Sequence, residues 1–135
     1  MCPKTKQKSN SPTVGHSMET VACDYVIKQG LKLIERNFTC RFGEVDLIMQ
    51  TPETLVFIEV RYRTEYGFGS ASESIIWSKQ QKIIKTACWY LTKTRQHDNS
   101  TIRFDVISID KFKTETQKNW QLDWIENAFQ VDSLF

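Results

Sequence analysis

The sequence predicts an α/β fold, a mixed central sheet flanked by helices with elements in the order α-β-β-β-α-β-β. Three observations carry this. Strand-like apolar runs cluster between Leu31 and Tyr62. A long helical pattern follows, from Ile75 to Arg95. A further strand-like run, Thr101 to Asp110, comes after it, so the long helix reads as a crossover back to the same sheet. With 135 residues, 40% hydrophobic and 25% charged, the chain has the length and composition of one globular domain, placed at residues 16–135.

Residues 1–15 carry Lys4, Lys6 and Lys8 among Ser, Asn, Thr, Gln and Pro. Such a segment cannot bury a core, and a disordered basic tail is expected. It has no apolar region of the signal-peptide kind, and no run in the chain is long enough to span a membrane. Cys2, Cys23, Cys40 and Cys88 form no close pair, so neither a zinc ribbon nor a redox pair is supported. Reduced thiols and a cytoplasmic protein with no membrane partner are expected.

The first helix runs from Ser17 to Gln29. Met18, Val21, Ala22, Tyr25 and Val26 form its apolar stripe, Ser17 its N-cap and Gly30 its stop. Glu19 lies at the border of that stripe. It reads either as a carboxylate favoured near the positive helix end or as a side chain leaning toward the acids of the sheet. Leu31 to Cys40 reads as the first strand, with Leu31, Leu33 and Phe38 inward, and Phe42 to Met49 as the second. Thr51-Pro52-Glu53 makes a turn. Leu55 to Tyr62 is apolar on both faces, as in a strand buried mid-sheet.

After a polar connection over 64–74, the long helix places Ile76, Trp77, Ile83, Ile84, Ala87, Cys88, Tyr90 and Leu91 on one side. Lys79, Lys82, Lys85 and Lys93 occupy the other, with Trp89 among them and no acid between Ser74 and His97. A solvated amphipathic helix gives this pattern. A grip on a phosphate backbone, joined by Arg63, also gives it, with Trp89 stacking on a base or packing on a loop. His97 to Ser100 reads as a loop. Asp105 lies inside the next strand, where a salt bridge with Arg103 is expected. A polar loop over 111–119, a strand through Trp120, Leu122 and Trp124, and a helical turn through Phe129 complete the chain.

The chemistry lies in the acids inside the apolar strands. Glu44 and Asp46 share one strand face, and Glu59 and Arg61 share one face of the next. A buried charge needs a partner, commonly a metal or a cation. Paired with matched faces, Asp46 and Glu59 suit Mg²⁺ or Mn²⁺ through hard oxygen ligands, with the Val60 carbonyl as a third. Arg61 would then orient the attacking water or stabilise the transition state of phosphodiester hydrolysis. A structural ion-pair network with Arg41, Arg61 and Arg63 accounts for the same residues.

Several ordered motifs resemble one family. Gly43-Glu-Val-Asp-Leu-Ile48, Val56-Phe-Ile-Glu-Val-Arg-Tyr-Arg63, Tyr66-Gly67, Ser78-Lys79-Gln80, Arg103-Phe-Asp-Val106 and Asn127-Ala-Phe129 match the YraN family of small bacterial endonuclease-like proteins, from about Gly15 to Phe129. That family is similar to archaeal Holliday-junction resolvases of the restriction-endonuclease-like PD-(D/E)XK fold. The resemblance implies Asp46 and Glu59 as metal-binding acids, position 61 as the basic residue, and Glu19 as the first-helix acid of resolvase-like nucleases. Arg61 departs from the usual Lys, and Val45 from the usual Pro. The function expected is Mg²⁺-dependent DNA endonuclease activity, on branched or recombining DNA. The alternative is a catalytically inactive nucleic-acid-binding module of the same fold. A protein–protein adaptor using the tryptophans is a third reading. A homodimer acting on symmetric DNA is also expected.

Overall fold

The computed structural model describes residues 14–63, 75–94, 101–113 and 118–131. The basic tail, the 64–74 connection with Tyr66 and Gly67, the loop over 97–100 and the Arg63 side chain lie outside the described residues.

The observed order is α1 (Val14–Lys28), β1 (Lys32–Cys40), β2 (Gly43–Gln50), β3 (Thr54–Arg63), α2 (Trp77–Thr94), β4 (Thr101–Lys113) and β5 (Lys118–Phe129). It is the predicted α-β-β-β-α-β-β mixed fold. The strands lie in sequence order, β1-β2-β3-β4-β5. All neighbours are antiparallel except β3 and β4, which pair in parallel through the α2 crossover. A parallel pair needs such a crossover because the chain must return to the end it left.

Strand alternation splits the core between the two sheet faces. Val45, Ile48, Leu55, Phe57, Phe104 and Val106 pack with Ile83, Ile84, Ala87, Tyr90 and Leu91 of α2. Leu47, Met49, Val56, Ile58, Ile107 and Ile109 pack with Met18, Ala22, Cys23 and Val26 of α1. β3 contributes to both, which is why it reads as a continuous apolar run.

α1 ends in a Schellman motif. The N–H of Gly30 donates to Ile27 O at 3.0 Å and that of Leu31 to Val26 O at 3.1 Å, with Gly30 at φ 106°. Gly30 is thus the predicted stop. Ser17 is not an N-cap, because the helix already begins at Val14. Cys23 is buried, whereas Val21 and Tyr25 are exposed, so the core-facing stripe is turned from the expected one. Tyr25 instead meets Trp124 edge-on. Cys23 is disulfide-bonded, which corrects the expectation of reduced thiols; Cys40 and Cys88 are free.

The start of α2 also differs. Ile76 and Trp77 are 70% and 65% exposed, and Ile75 is buried in their place. Gly43 allows α2 close to β2: its φ is 149°, and a Cβ there would stand 3.2 Å from Thr86 Oγ1. The C-terminal segment is one strand through Phe129, not a strand followed by a helical turn. The flanking parts of the expected polar loop, 111–113 and 118–119, pair as a hairpin.

Asp105 explains the last strand. Its carboxylate is fully buried and accepts from Arg103 Nε and Nη2, Trp124 Nε1 and the Asn127 backbone N–H, each at 2.9 Å. The expected salt bridge with Arg103 is present. Asn127 adopts φ 54° at the bulge that lets its N–H turn inward. Asp105→Ala strands these donors and is expected to cost about 3–5 kcal/mol in urea denaturation. A loss below about 1 kcal/mol would show that the network does not anchor β5.

Candidate functional site

β2 and β3 pair from Gln50↔Leu55 to Leu47↔Ile58, and there the ladder ends. The next opposed positions are Asp46 and Glu59. Glu59 follows the alternation of Phe57, whose side chain packs on the α2 face. In β2, Val45 and Ile48 both pack on that face, so strict alternation breaks at Asp46–Leu47. Asp46 is placed by its cleft and its bond to Val60. Beyond the last ladder pair, Asp46 Oδ2 accepts the backbone N–H of Val60 at 2.9 Å. A side chain thus satisfies a backbone donor that leaves the sheet. Asp46 and Glu59 are 9% and 8% exposed, close for two acids and well removed from water.

α2 supplies the cation. Lys79 Nζ stands 2.8 Å from Glu59 Oε2, with its side chain 53% exposed. The stripe Lys79, Ile83, Thr86 and Tyr90 follows helical spacing along α2, and all but Lys79 are buried; Ile75, just before the helix, is buried too. Lys79 is the position where this stripe passes over the end of the sheet.

α1 supplies a further acid. Asp46 and Asn37 lie near enough to Glu19 to act on its carboxyl, together with Arg36. Its Oε1 lies 4.0 Å from Arg36 Nη2, and Arg36 also donates to Thr20 Oγ1 at 3.1 Å. Glu19 therefore leans toward the sheet acids. Glu44 adds negative charge that acts on both Glu19 and Asp46.

Burial governs the electrostatics. It pushes Asp46 up to about 7, against the Val60 N–H and with help from the Glu19 charge. Burial likewise pushes Glu59 up to about 7, reinforced by the Asp46 charge and opposed by Lys79. Glu19 is raised by burial as well. Lys79 is raised chiefly by its hydrogen bond to Glu59. Neighbouring buried carboxyls that resist ionisation are a local demand for positive charge.

The acids form the floor of an open cleft of about 430 Å³, lined also by Glu44, Ser78, Lys79 and Lys82. Their oxygen-only donor set fits a hard divalent cation, and Mg²⁺ is commonly held by one or two carboxylates with water and phosphate oxygens completing the octahedron. Among the described residues, no three His, Cys, Asp or Glu side chains form a group that could hold a metal ion. What fits such an ion is the Asp46–Glu59 pair; Glu19 is linked to it through Asp46.

Arg61 follows Glu59 on the same face and is half-buried, and its charge is felt by Lys79. Lys82 lines the cleft one turn after Lys79. Lys85 is exposed on α2. Lys93 stands over the Phe38 ring, 5.6 Å from its centroid. Fourteen residues separate it from Lys79, about 21 Å along the helix. The lysine face is therefore split, with Lys79 and Lys82 at the cleft and Lys93 at the far end. Trp89 meets Phe42 edge-on at 6.2 Å, the loop-packing alternative for this residue.

What the sequence does not offer is the contact between Lys79 and Glu59. It places Lys79 on a lysine face, solvated or gripping a phosphate backbone, and the side chain is indeed 53% exposed while its Nζ meets the acid. Periodicity along the helix carries no signal for a contact made by the end of a long side chain with a different element.

The chain was also compared with known proteins. The model of the uncharacterised protein family UPF0102 matches residues 18–109. A UPF0102 protein of Nitrosococcus oceani is 44% identical over 119 residues, 88% of this chain and 93% of that one. One from Psychromonas ingrahamii is 48% identical over 128 residues, covering 95% and 97%. One from Legionella pneumophila strain Corby is 45% identical over 117 residues, covering 87% and 94%.

The raised carboxyls make a pH prediction for the metal-free protein. Unfolded Asp and Glu ionise near pH 4, whereas Asp46 and Glu59 in the fold ionise near 7. Between these values the folded state holds more protons, so stability falls as pH rises from about 4 to about 7, then levels. Melting temperature followed from pH 5 to 8 should decline, and Glu59→Gln should raise it at pH 8 by about 3–6 °C. A wild-type melting temperature that rises steadily through this window would refute the site electrostatics.

Proposed function

Starting from a chain that belongs to the UPF0102 family, we propose that it is a divalent-metal-dependent endonuclease that hydrolyses phosphodiester bonds in DNA. The observation that carries this reading is the Asp46–Glu59 pair, buried side by side at the floor of an open cleft walled by Lys79 and Lys82. Two acids raised together are a cost to the fold that a structural role does not require.

In this reading Asp46 and Glu59 would hold Mg²⁺ or Mn²⁺, which when bound would supply a water of lowered pKa and positive charge beside the scissile phosphate. The Val60 N–H fixes the Asp46 carboxylate, so one of its oxygens keeps a set direction. Glu19, close to Asp46 and 4.0 Å from Arg36, adds a carboxylate from the α1 side. Arg61 keeps its charge at working pH, so it stabilises negative charge and takes no proton. Lys82, with Lys85 beyond it, contacts the backbone phosphates and makes binding salt-sensitive. Branched or recombining DNA is the proposed substrate, and a homodimer the proposed acting form.

A second reading, binding without turnover, draws on Arg61. A guanidinium at the motif's basic position cannot act as a base, and a site with only that cation would favour it.

Labelled four-way junctions, flaps and linear duplexes incubated with Mg²⁺ or Mn²⁺ test the proposal. Cleavage is expected to need the ion and to fall about 100-fold or more in Glu59→Ala, the scale of losing a group that manages transition-state charge. Salt-sensitive binding without cleavage of any substrate would establish the second reading. Cleavage unchanged in Glu59→Ala would remove Glu59 from the mechanism.

A further inference from the structure

The acids at the cleft floor are not left without a cation. Lys79 Nζ lies 2.8 Å from Glu59 Oε2, as close as a charge-assisted hydrogen bond becomes. The two ends of this bond differ in setting. The Glu59 side chain is 10% exposed, so its ionised form depends on a counter-charge in contact with it. The Lys79 side chain is 53% exposed, and its flexible stem leaves the helix at the cleft wall. Glu59 is thus the fixed partner and Lys79 the movable one.

The position of Lys79 follows from the helix that carries it. Ile83, one turn after, is buried, as are Thr86 and Tyr90 further along, so packing of α2 fixes the side from which Lys79 leaves the helix. Gln80 Nε2 donates to Ile75 O at 2.7 Å and ties down the entry to the helix. Lys82 lies one turn on and opens to the same cleft.

We propose that Lys79 is a positioning residue of the acid site, an ammonium that neutralises Glu59 while no divalent cation is bound and yields that carboxylate when one enters. The proposal rests on the reading of Asp46 and Glu59 as metal-holding acids. An ammonium and a divalent cation cannot both contact one Glu59 oxygen without like-charge repulsion. A divalent cation on Oε2 would displace Lys79, whereas one on the other oxygen alone would still weaken its hold. Ser78 and Lys82 line the same cleft, the wall along which a displaced ammonium would face a bound strand in the proposed function. One residue then supplies the counter-charge of the metal-free site and a cation facing substrate in the loaded one. This differs from a general backbone grip, which would affect DNA affinity and leave metal affinity alone.

The test is Mn²⁺ binding by calorimetry, without DNA, on wild type, Lys79→Ala, Lys79→Arg and Lys82→Ala. Removing a half-exposed competitor should tighten Mn²⁺ binding about two- to five-fold in Lys79→Ala. Lys79→Arg, which keeps a cation on Glu59, should return toward the wild-type affinity. Lys82→Ala removes an equal charge from the next turn and should change Mn²⁺ affinity less than Lys79→Ala. In cleavage assays Lys79→Ala should lower kcat more than it raises KM. Mn²⁺ affinity in Lys79→Ala equal to or weaker than wild type would overturn the proposal while leaving the metal centre standing. No Mn²⁺ binding by any of the proteins would overturn the metal centre and the proposal together.

Discussion

The structure is organised by the place where β2 and β3 stop pairing. Up to Leu47↔Ile58 the strands satisfy each other's backbone, and apolar side chains fill both faces. One residue further, the opposed positions are Asp46 and Glu59, and the Val60 N–H turns to a carboxylate instead of a carbonyl. Ending the ladder there creates room between two central strands, and that room is filled by buried acids. Glu19, Arg36 and Lys79 are disposed around this gap from three different elements. Without the gap, α1 and α2 would cover a continuous apolar sheet, and none of these polar side chains would have a reason to converge.

The remainder of the fold holds the gap open. β4 pairs in parallel along β3 from Thr54↔Thr101 to Arg63↔Asp110, so β3 remains hydrogen-bonded through Glu59 after its ladder with β2 has ended. Asp105 in turn gathers Arg103, Trp124 and Asn127, fastening β5 to β4. On the other side, Gly43 brings α2 within contact distance of the start of β2 through Thr86. That approach sets the height of Lys79 above the sheet. A larger residue at position 43 would push α2 outward and lengthen the reach from Lys79 to Glu59.

Much of this was legible in the sequence. The element order was, because a β3 run apolar on both faces implies a central strand, and a long helix before another strand implies a parallel crossover. Asp46 and Glu59 were, because charges inside apolar strands stand out and strand alternation assigns them a face. The helix rotations were harder to read. Cys23 against Val21 in α1 is a choice between apolar residues that periodicity barely separates, and Ile75 and Ile76 fall just before α2, where helical spacing does not apply. The terminal strand was also hard to read. Its bulge at Asn127 interrupts alternation, and only the inward turn of a backbone N–H toward Asp105 explains the interruption. The ion pair of Lys79 with Glu59 was not legible, because a lysine among lysines on a helix gives no sign of which element its ammonium meets.

The departure of Arg61 from lysine takes on a different meaning beside Lys79. Read along β3 alone, a guanidinium where an ammonium is usual leaves the site without a cation able to move or exchange a proton. Across the cleft, however, an ammonium already touches Glu59, and it comes from a helix rather than from the strand. The charge of Arg61 acts on Lys79, so the two cations belong to one electrostatic group. Their chemistries then divide. Arg61 is half-buried and permanently charged, suited to a fixed background of positive potential. Lys79 is half-exposed on a flexible stem, suited to exchange between the acid and another partner. A strand residue two positions from Glu59 is held beside the acid by the sheet, whereas a long side chain on a helix at the cleft wall can move off it, and the proposed displacement by a divalent cation depends on this difference.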